Sequence, residues 1–205
     1  MEHTTALEIN LFGEQLPSMD ELRALSQAIN SSELSRIKFA GEIDARLKDT
    51  SADTAVAVGI GLFMLGRYAE AVEKLQKGRD CLEKHTYLAF ALRNRKQYQA
   101  AIDCLQRTLE FGADAMPVSL EKAATYRLAR DCEAAEKELQ ACANFENVSA
   151  EYHYQLGRLQ ESLGLYGKAL DNYKTAVELA PEHPRALFHP VSYTHLRAHE
   201  TVLDL

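Results

Sequence analysis

His195 and His199 form the pair in this 205-residue chain whose spacing most invites chemistry. Four residues apart, they would share one helix face, the arrangement of a two-histidine metal site, but the intervening glutamate of a zinc-protease motif and a third ligand are both missing. Cys81, Cys104, Cys132 and Cys142 show no Cys-x-x-Cys or zinc-finger spacing, which predicts reduced, buried thiols rather than a metal or redox pair. His85 and His153 stand among aromatics at predicted helix starts, where packing or capping is the expected role. There is no Gly-x-Gly-x-x-Gly, no phosphate-binding Gly-Lys-Ser/Thr loop and no Gly-x-Ser-x-Gly elbow. No residue is therefore assigned a catalytic, cofactor-binding or metal-binding role, and no cofactor is expected. What is left for the side chains is non-covalent recognition.

The composition narrows what is recognised. With 46% hydrophobic and 26% charged residues, the chain has the make-up of a soluble protein of one or two domains. A net charge of −7, with lysines and arginines scattered, argues against a nucleic-acid face, which needs clustered basic groups. The longest apolar stretch, 55–65, is too short to span a bilayer, and the polar, acidic opening Met1-Glu2-His3 is not a secretion signal. A cytoplasmic location is expected.

Evenly placed anchors reveal the elements that carry these residues. Tyr68, Tyr98, Cys132 and Tyr166 are each followed three residues on by an alanine: Ala71, Ala101, Ala135 and Ala169. Seven after each anchor stands a large residue (Leu75, Leu105, Leu139, Tyr173), and ten after a compact one (Gly78, Thr108, Cys142, Ala176). Nine before comes Gly59, Ala89, Ala123 or Gly157, always small. Such self-similarity predicts a repeat array whose units bury their cores against their neighbours. Small residues at matched depths let paired helices approach closely, while the large ones interdigitate at close-packed density. Gly78 reads as a helix-interior glycine, costing about 1 kcal/mol relative to alanine, so the first unit is expected to be the loosest.

The last unit carries a family resemblance. Leu156-Gly157, then Gly164 and Tyr166, then Ala169, Tyr173, Ala176 and Pro181 resemble the tetratricopeptide repeat, a unit of two antiparallel helices. The resemblance extends over residues 52–183 and implies an all-α, right-handed α-solenoid of antiparallel helix pairs with about four repeats. Departures are clear: the chain has no tryptophan, His153 stands at the place where one is common, Lys122 replaces a leucine and Cys132 a tyrosine. The first interval is also about one helical turn short.

Outside the repeats, Ser18-Met19-Asp20-Glu21 reads as a capping box opening a helix through Leu22, Leu25 and Ile29. Asn30-Ser31-Ser32 ends it, and a second helix follows from about Glu33 through Leu34, Ile37, Ile43 and Leu47. This pair, within an N-terminal segment 1–51, is expected to cap the array and to pack on the next helix, which is apolar nearly all round. Covering it would obstruct the start of the groove. Residues 184–190 read as the start of a further repeat, cut off. Val191 to Thr201 resembles a translated sequencing adapter, so 191–205 is read as a non-native tail and the natural protein is expected to continue beyond 190. That reading also discounts His195 and His199.

In tetratricopeptide-like arrays the first helix of each pair lines the inner, concave face. Carried onto this chain, the resemblance implies a partner-binding face containing Phe63, Tyr87, Phe90, Arg93, Asn94, Arg127, Tyr154 and Arg158. Aromatic and arginine side chains together favour recognition of a peptide or protein carrying apolar anchors and a carboxylate. The competing reading is that the N-terminal helices cover the apolar part and the arginines are merely solvated. The lysine–asparagine clamp by which some relatives bind chaperone C-termini is not reproduced. A non-enzymatic protein–protein interaction scaffold is therefore the leading expectation. The alternatives are the N-terminal repeat region of a larger enzyme, such as a group transferase, and self-association through an open end.

Overall fold

The structure, a computed structural model, describes residues 9–13, 15–145 and 149–181. The segments 184–190 and 191–205, with His195 and His199, lie outside the described residues. Within them are ten α-helices and no strand. The chain divides into two compact units, 1–113 and 114–205. The first therefore joins the N-terminal pair to two repeats.

The N-terminal pair is α1 (Met19–Asn30) and α2 (Glu33–Arg46). The predicted capping box is formed: the Ser18 amide donates to Glu21 Oε2 at 2.8 Å, and the Glu21 amide to Ser18 Oγ at 3.4 Å. Leu22, Leu25 and Ile29 are buried as expected. On α2 the reading of the face needs correction, because Leu34 and Ile37 are 63% and 61% exposed while Phe39 and Ile43 are buried. The reason lies in α3 (Ala52–Met64): Gly61 presents bare backbone to Ile43 Cδ1 and the Phe39 ring, and the helix is rolled to fill that gap. Arg36 Nη2 donates to the Leu65 carbonyl at 3.1 Å, and Arg67 Nη1 pairs with Asp44 Oδ1 at 2.5 Å. The pair thus packs on the apolar helix α3, nine of whose residues are buried.

Four hairpins follow. In the first unit they are α3 with α4 (Tyr68–Lys77) and α5 (Leu82–Asn94) with α6 (Tyr98–Thr108). In the second they are α7 (Ala115–Leu128) with α8 (Cys132–Ala141) and α9 (Ala150–Ser162) with α10 (Tyr166–Leu179). Every anchor residue is the first residue of a second helix. The residue two before it is left-handed each time: Gly66, Lys96, Arg130 and Gly164, with φ of 81°, 60°, 67° and 75°. The next amide then bonds back across the turn, Arg67 to Leu62, Gln97 to Leu92, Asp131 to Tyr126 and Leu165 to Gln160, at 2.8–3.0 Å. This is the same glycine-type helix stop used four times, twice without glycine.

The predicted close approaches are present. A Cβ on Gly59 would stand 2.5 Å from Leu75 Cγ, and one on Gly157 would stand 2.6 Å from Tyr173 Cε1. Ala71, Ala101 and Ala169 are fully enclosed, and Ala135 nearly so. Gly78 is not a helix-interior residue. Helix α4 stops at Lys77, and Gly78 is its extended C-cap, with φ −73° and ψ 162°, its bare Cα against Val56. The short first interval shows as a missing 3-10 turn: α6 is followed by one at Leu109–Phe111, whereas four residues join α4 to α5. In the second unit, Lys122 stands in for the expected leucine by pairing with Glu138 of α8 at 2.5 Å, both largely buried.

Candidate recognition surfaces

In the first unit, aromatic side chains from first helices converge. Phe63, in the last turn of α3, meets Tyr87 of α5 edge-on at 5.3 Å, Phe90 at 6.1 Å and Tyr68 at 5.5 Å. Tyr87 is 5% exposed, so it is a floor rather than a contact residue. Burial pushes its phenol up to about 12, with Arg23 of α1 pulling the other way. Phe63, Phe90 and Arg93 stay half-buried, and the Arg93 guanidinium sits 5.0 Å over the Phe90 ring. Asn94 is exposed and turns its amide back on its own helix, donating to the Phe90 carbonyl at 2.9 Å. Phe63, Phe90 and Arg93 thus form a half-buried aromatic and arginine cluster beside the buried Tyr87.

In the second unit, α7 and α9 pack together and carry two arginines. Arg158 Nη1 donates to the Tyr154 hydroxyl at 3.1 Å, and its Nε lies 3.2 Å from Glu161 Oε2 as an ion pair rather than an aligned hydrogen bond. Tyr173, enclosed on α10, donates its hydroxyl to the same Glu161 oxygen at 2.7 Å. Burial works against the Arg158 charge, but the Tyr154 hydroxyl and the Glu161 carboxylate outweigh it, and its pKa is raised. Tyr154 itself is 4% exposed and supports Arg158 from below.

Arg127 on α7 is the contrasting member. Its Nε is enclosed without a hydrogen-bond partner, and burial followed by the charge of Arg158 lowers its pKa. An unsatisfied enclosed donor of this kind costs about 1–3 kcal/mol. Gln155, one turn before Arg158, adds an enclosed acceptor: its Nε2 donates to Glu151 at 2.7 Å while its Oε1 has no donor.

The residues singled out for chemistry take structural roles. His85 is 2% exposed, 3.1 Å from Asp80 through Nε2 and stacked on Phe111 at 5.2 Å. Burial, then Arg107, lowers its pKa. His153 Nδ1 bonds Asn172 Oδ1 at 2.8 Å, tying α9 to α10. All four cysteines are free thiols, and burial raises those of Cys81, Cys104 and Cys142. Among the described residues no group of three metal-binding side chains occurs, and no helix is long and apolar enough to cross a membrane.

Of the eight residues expected to meet a partner, Phe63, Phe90, Arg93, Asn94, Arg127 and Arg158 reach the surface, and the two tyrosines lie beneath it. Sequence reasoning missed the part of Tyr173 in holding Glu161. The i, i+3 spacing of Arg158 and Glu161 was visible, but the reach from α10 was not.

Comparison with known proteins agrees with the repeat pattern. The family model for the tetratricopeptide repeat matches residues 150–183. Among solved structures, the MamA protein aligns at a TM-score of 0.57 with 20% identity, over 80% of this chain and 94% of that one. YrrB, described as a tetratricopeptide-repeat protein with an unusual peptide-binding site, aligns at 0.54 with 19% identity, over 82% and 87%. A thermophilic repeat protein of Thermus thermophilus aligns at 0.62 with 18% identity, over 85% and 98%. The search of curated proteins returned no match. At these identities the structures establish the fold, an all-α helical repeat.

Proposed function

We propose that this protein, whose last hairpin matches the tetratricopeptide-repeat model, is a non-enzymatic interaction module of the cytoplasm. It holds a peptide segment of a partner protein against the first helices of its repeats. The N-terminal segment 1–51, through its helical pair, acts as the cap of the array, and 52–183 as the binding part. The observation that carries this reading is the Phe63–Phe90–Arg93 surface: half-buried aromatic rings with a guanidinium stacked over one of them. Rings already fixed by packing contribute contact area at low entropic cost, which is what recognition of an extended partner requires. Arg127 and Arg158 supply positive charge on a chain of net −7, favouring partners with acidic groups. The peptide-binding site named for YrrB, which shares the fold, is consistent with this use.

Peptide-phage selection on the full chain tests the proposal. Enriched peptides should lose binding to Phe90→Ala or Arg158→Ala and keep it to Lys137→Ala, an exposed position on α8. No enrichment, or binders indifferent to both first-helix variants, would remove the assignment.

A further inference from the structure

Helix α2 turns an apolar face to solvent. It buries Phe39 and Ile43 towards Gly61 of α3, while Leu34, Ile37, Gly41 and Ala45 form one exposed stripe on its opposite side. A Cβ on Gly41 would meet nothing within 4 Å. Glycine weakens a helix interior, and elsewhere in this chain it is tolerated where a neighbour needs the space. At Gly59 the neighbour is Leu75, at Gly61 Ile43 and at Gly157 Tyr173. Gly41 is the same kind of notch facing outward, beside two large apolar side chains that are more than half exposed. The stripe is also graded, with its large residues at the N-terminal end and its small ones at the C-terminal end.

We propose that the outward face of α2 pairs with the same face of a second copy of this chain, antiparallel and about a two-fold axis. That arrangement sets large on small: Ile37 enters the notch at Gly41 of the second copy and Leu34 lies on its Ala45, each contact occurring twice. A parallel pairing would set glycine against glycine and leave a void. In the antiparallel pair each flank of α2 lies beside the same flank of its mate. Lys38 and Glu42, both exposed on one flank, therefore meet as two opposite-charge pairs between the copies. On the other flank Asp44 is already held by Arg67, and Glu33 comes level with the exposed Lys48. One helix from each copy covers less than the roughly 1,200 Å² of stable complexes, so the dimer is weak, with a Kd on the order of 100 µM. The pairing is independent of the peptide-binding reading. Its consequence there is bivalence, two recognition surfaces carried by one particle.

Sedimentation equilibrium of the full chain, from about 5 µM to 1 mM protein in about 50 mM salt, reads the association directly. The parent should pass from monomer to dimer across that range. Gly41→Leu should weaken the dimer by about tenfold or more, because it fills the notch, yet melt no lower than the parent, because the space beside it in the monomer is open. Ile37→Glu should weaken it at least as much. Lys38→Glu and Glu42→Lys should each weaken self-association by about fivefold, since each sets like charges together twice. Mixing those two variants should restore the parent's affinity, because each then supplies the charge the other lacks. Damage within one helix cannot be repaired by mixing, so this arm separates the interface from a fold defect. A monomer mass at every concentration would overturn the proposal, as would a dimer indifferent to Ile37→Glu and Gly41→Leu. A mixture no tighter than its two components would overturn the antiparallel pairing.

Discussion

Two glycine-to-alanine substitutions with opposite expected signs measure how tightly the repeat pairs its helices. In a helix, alanine is favoured over glycine by about 1 kcal/mol. Gly41 lies inside α2, and a Cβ there meets nothing within 4 Å, so Gly41→Ala should stabilise by about that amount. Gly157 lies inside α9, where the same Cβ would stand 2.6 Å and 2.8 Å from two Tyr173 ring carbons and 3.2 Å from the Ala169 carbonyl oxygen. The ring has nowhere to retreat. It is fully enclosed, its hydroxyl is held by Glu161 at 2.7 Å, and Tyr154 packs beside it at 6.0 Å. Overpacking of this kind costs about 1–3 kcal/mol, and releasing the bond to the carboxylate adds about 1.5–3 kcal/mol if the ring moves. Subtracting the propensity gain from the overpacking cost leaves Gly157→Ala destabilising by about 0–2 kcal/mol, about 1–3 kcal/mol below Gly41→Ala, and by more if the ring moves. Urea unfolding followed by far-UV circular dichroism suits a chain without tryptophan. If Gly157→Ala stabilises as Gly41→Ala does, the close approach of α9 and α10 is not what locks the repeat, and the argument from small residues fails.

Two further outcomes follow from the same geometry. His85 has its pKa lowered by burial first and Arg107 second, so the folded protein keeps it neutral while the unfolded chain protonates near 6.5. The unfolded state then binds more protons, and stability falls as pH drops below about 6.5. Glu21 and Asp80, whose pKa values are lowered, act only in more acidic solution, below their unfolded values near 4. Urea midpoints at pH 7.5 and 5.5 should therefore differ less in His85→Gln than in the parent protein; an identical difference would exclude His85 as the cause. At the turns, Lys96 and Arg130 hold left-handed φ values of 60° and 67° where the other two repeats have glycine. Lys96→Gly and Arg130→Gly should each raise stability by about 0.5–1 kcal/mol, the relief of left-handed strain less the glycine entropy cost. A loss in either melting temperature would contradict the shared turn.

Much of the fold was legible because its requirements are steric and repeat at fixed intervals. Gly59, Ala89, Ala123 and Gly157 were readable as contact points because only small residues permit that approach, whatever lies around them. The Ser18 capping box was equally readable, since both of its partners lie within one turn. Gly78 was misplaced because its register position was read from the last repeat, where the equivalent Ala176 lies inside α10, whereas Thr108 ends α6 and Cys142 caps α8. What ends α4 there is a shortened connection whose backbone closes against Val56 of α3.

The sequence by itself determined that this chain is a stack of helical hairpins and which side chains pin each hairpin together, because residue size and helical period specify those contacts locally. Only the tertiary structure decided which of the recognition residues face out. Tyr87 and Tyr154 went under the surface and the Arg127 Nε was left without a hydrogen-bond partner, while Glu161 was claimed by a hydroxyl from the next helix. Those outcomes depend on the roll of each helix about its own axis. Packing between distant segments sets that roll, and no local pattern of types and spacings encodes it.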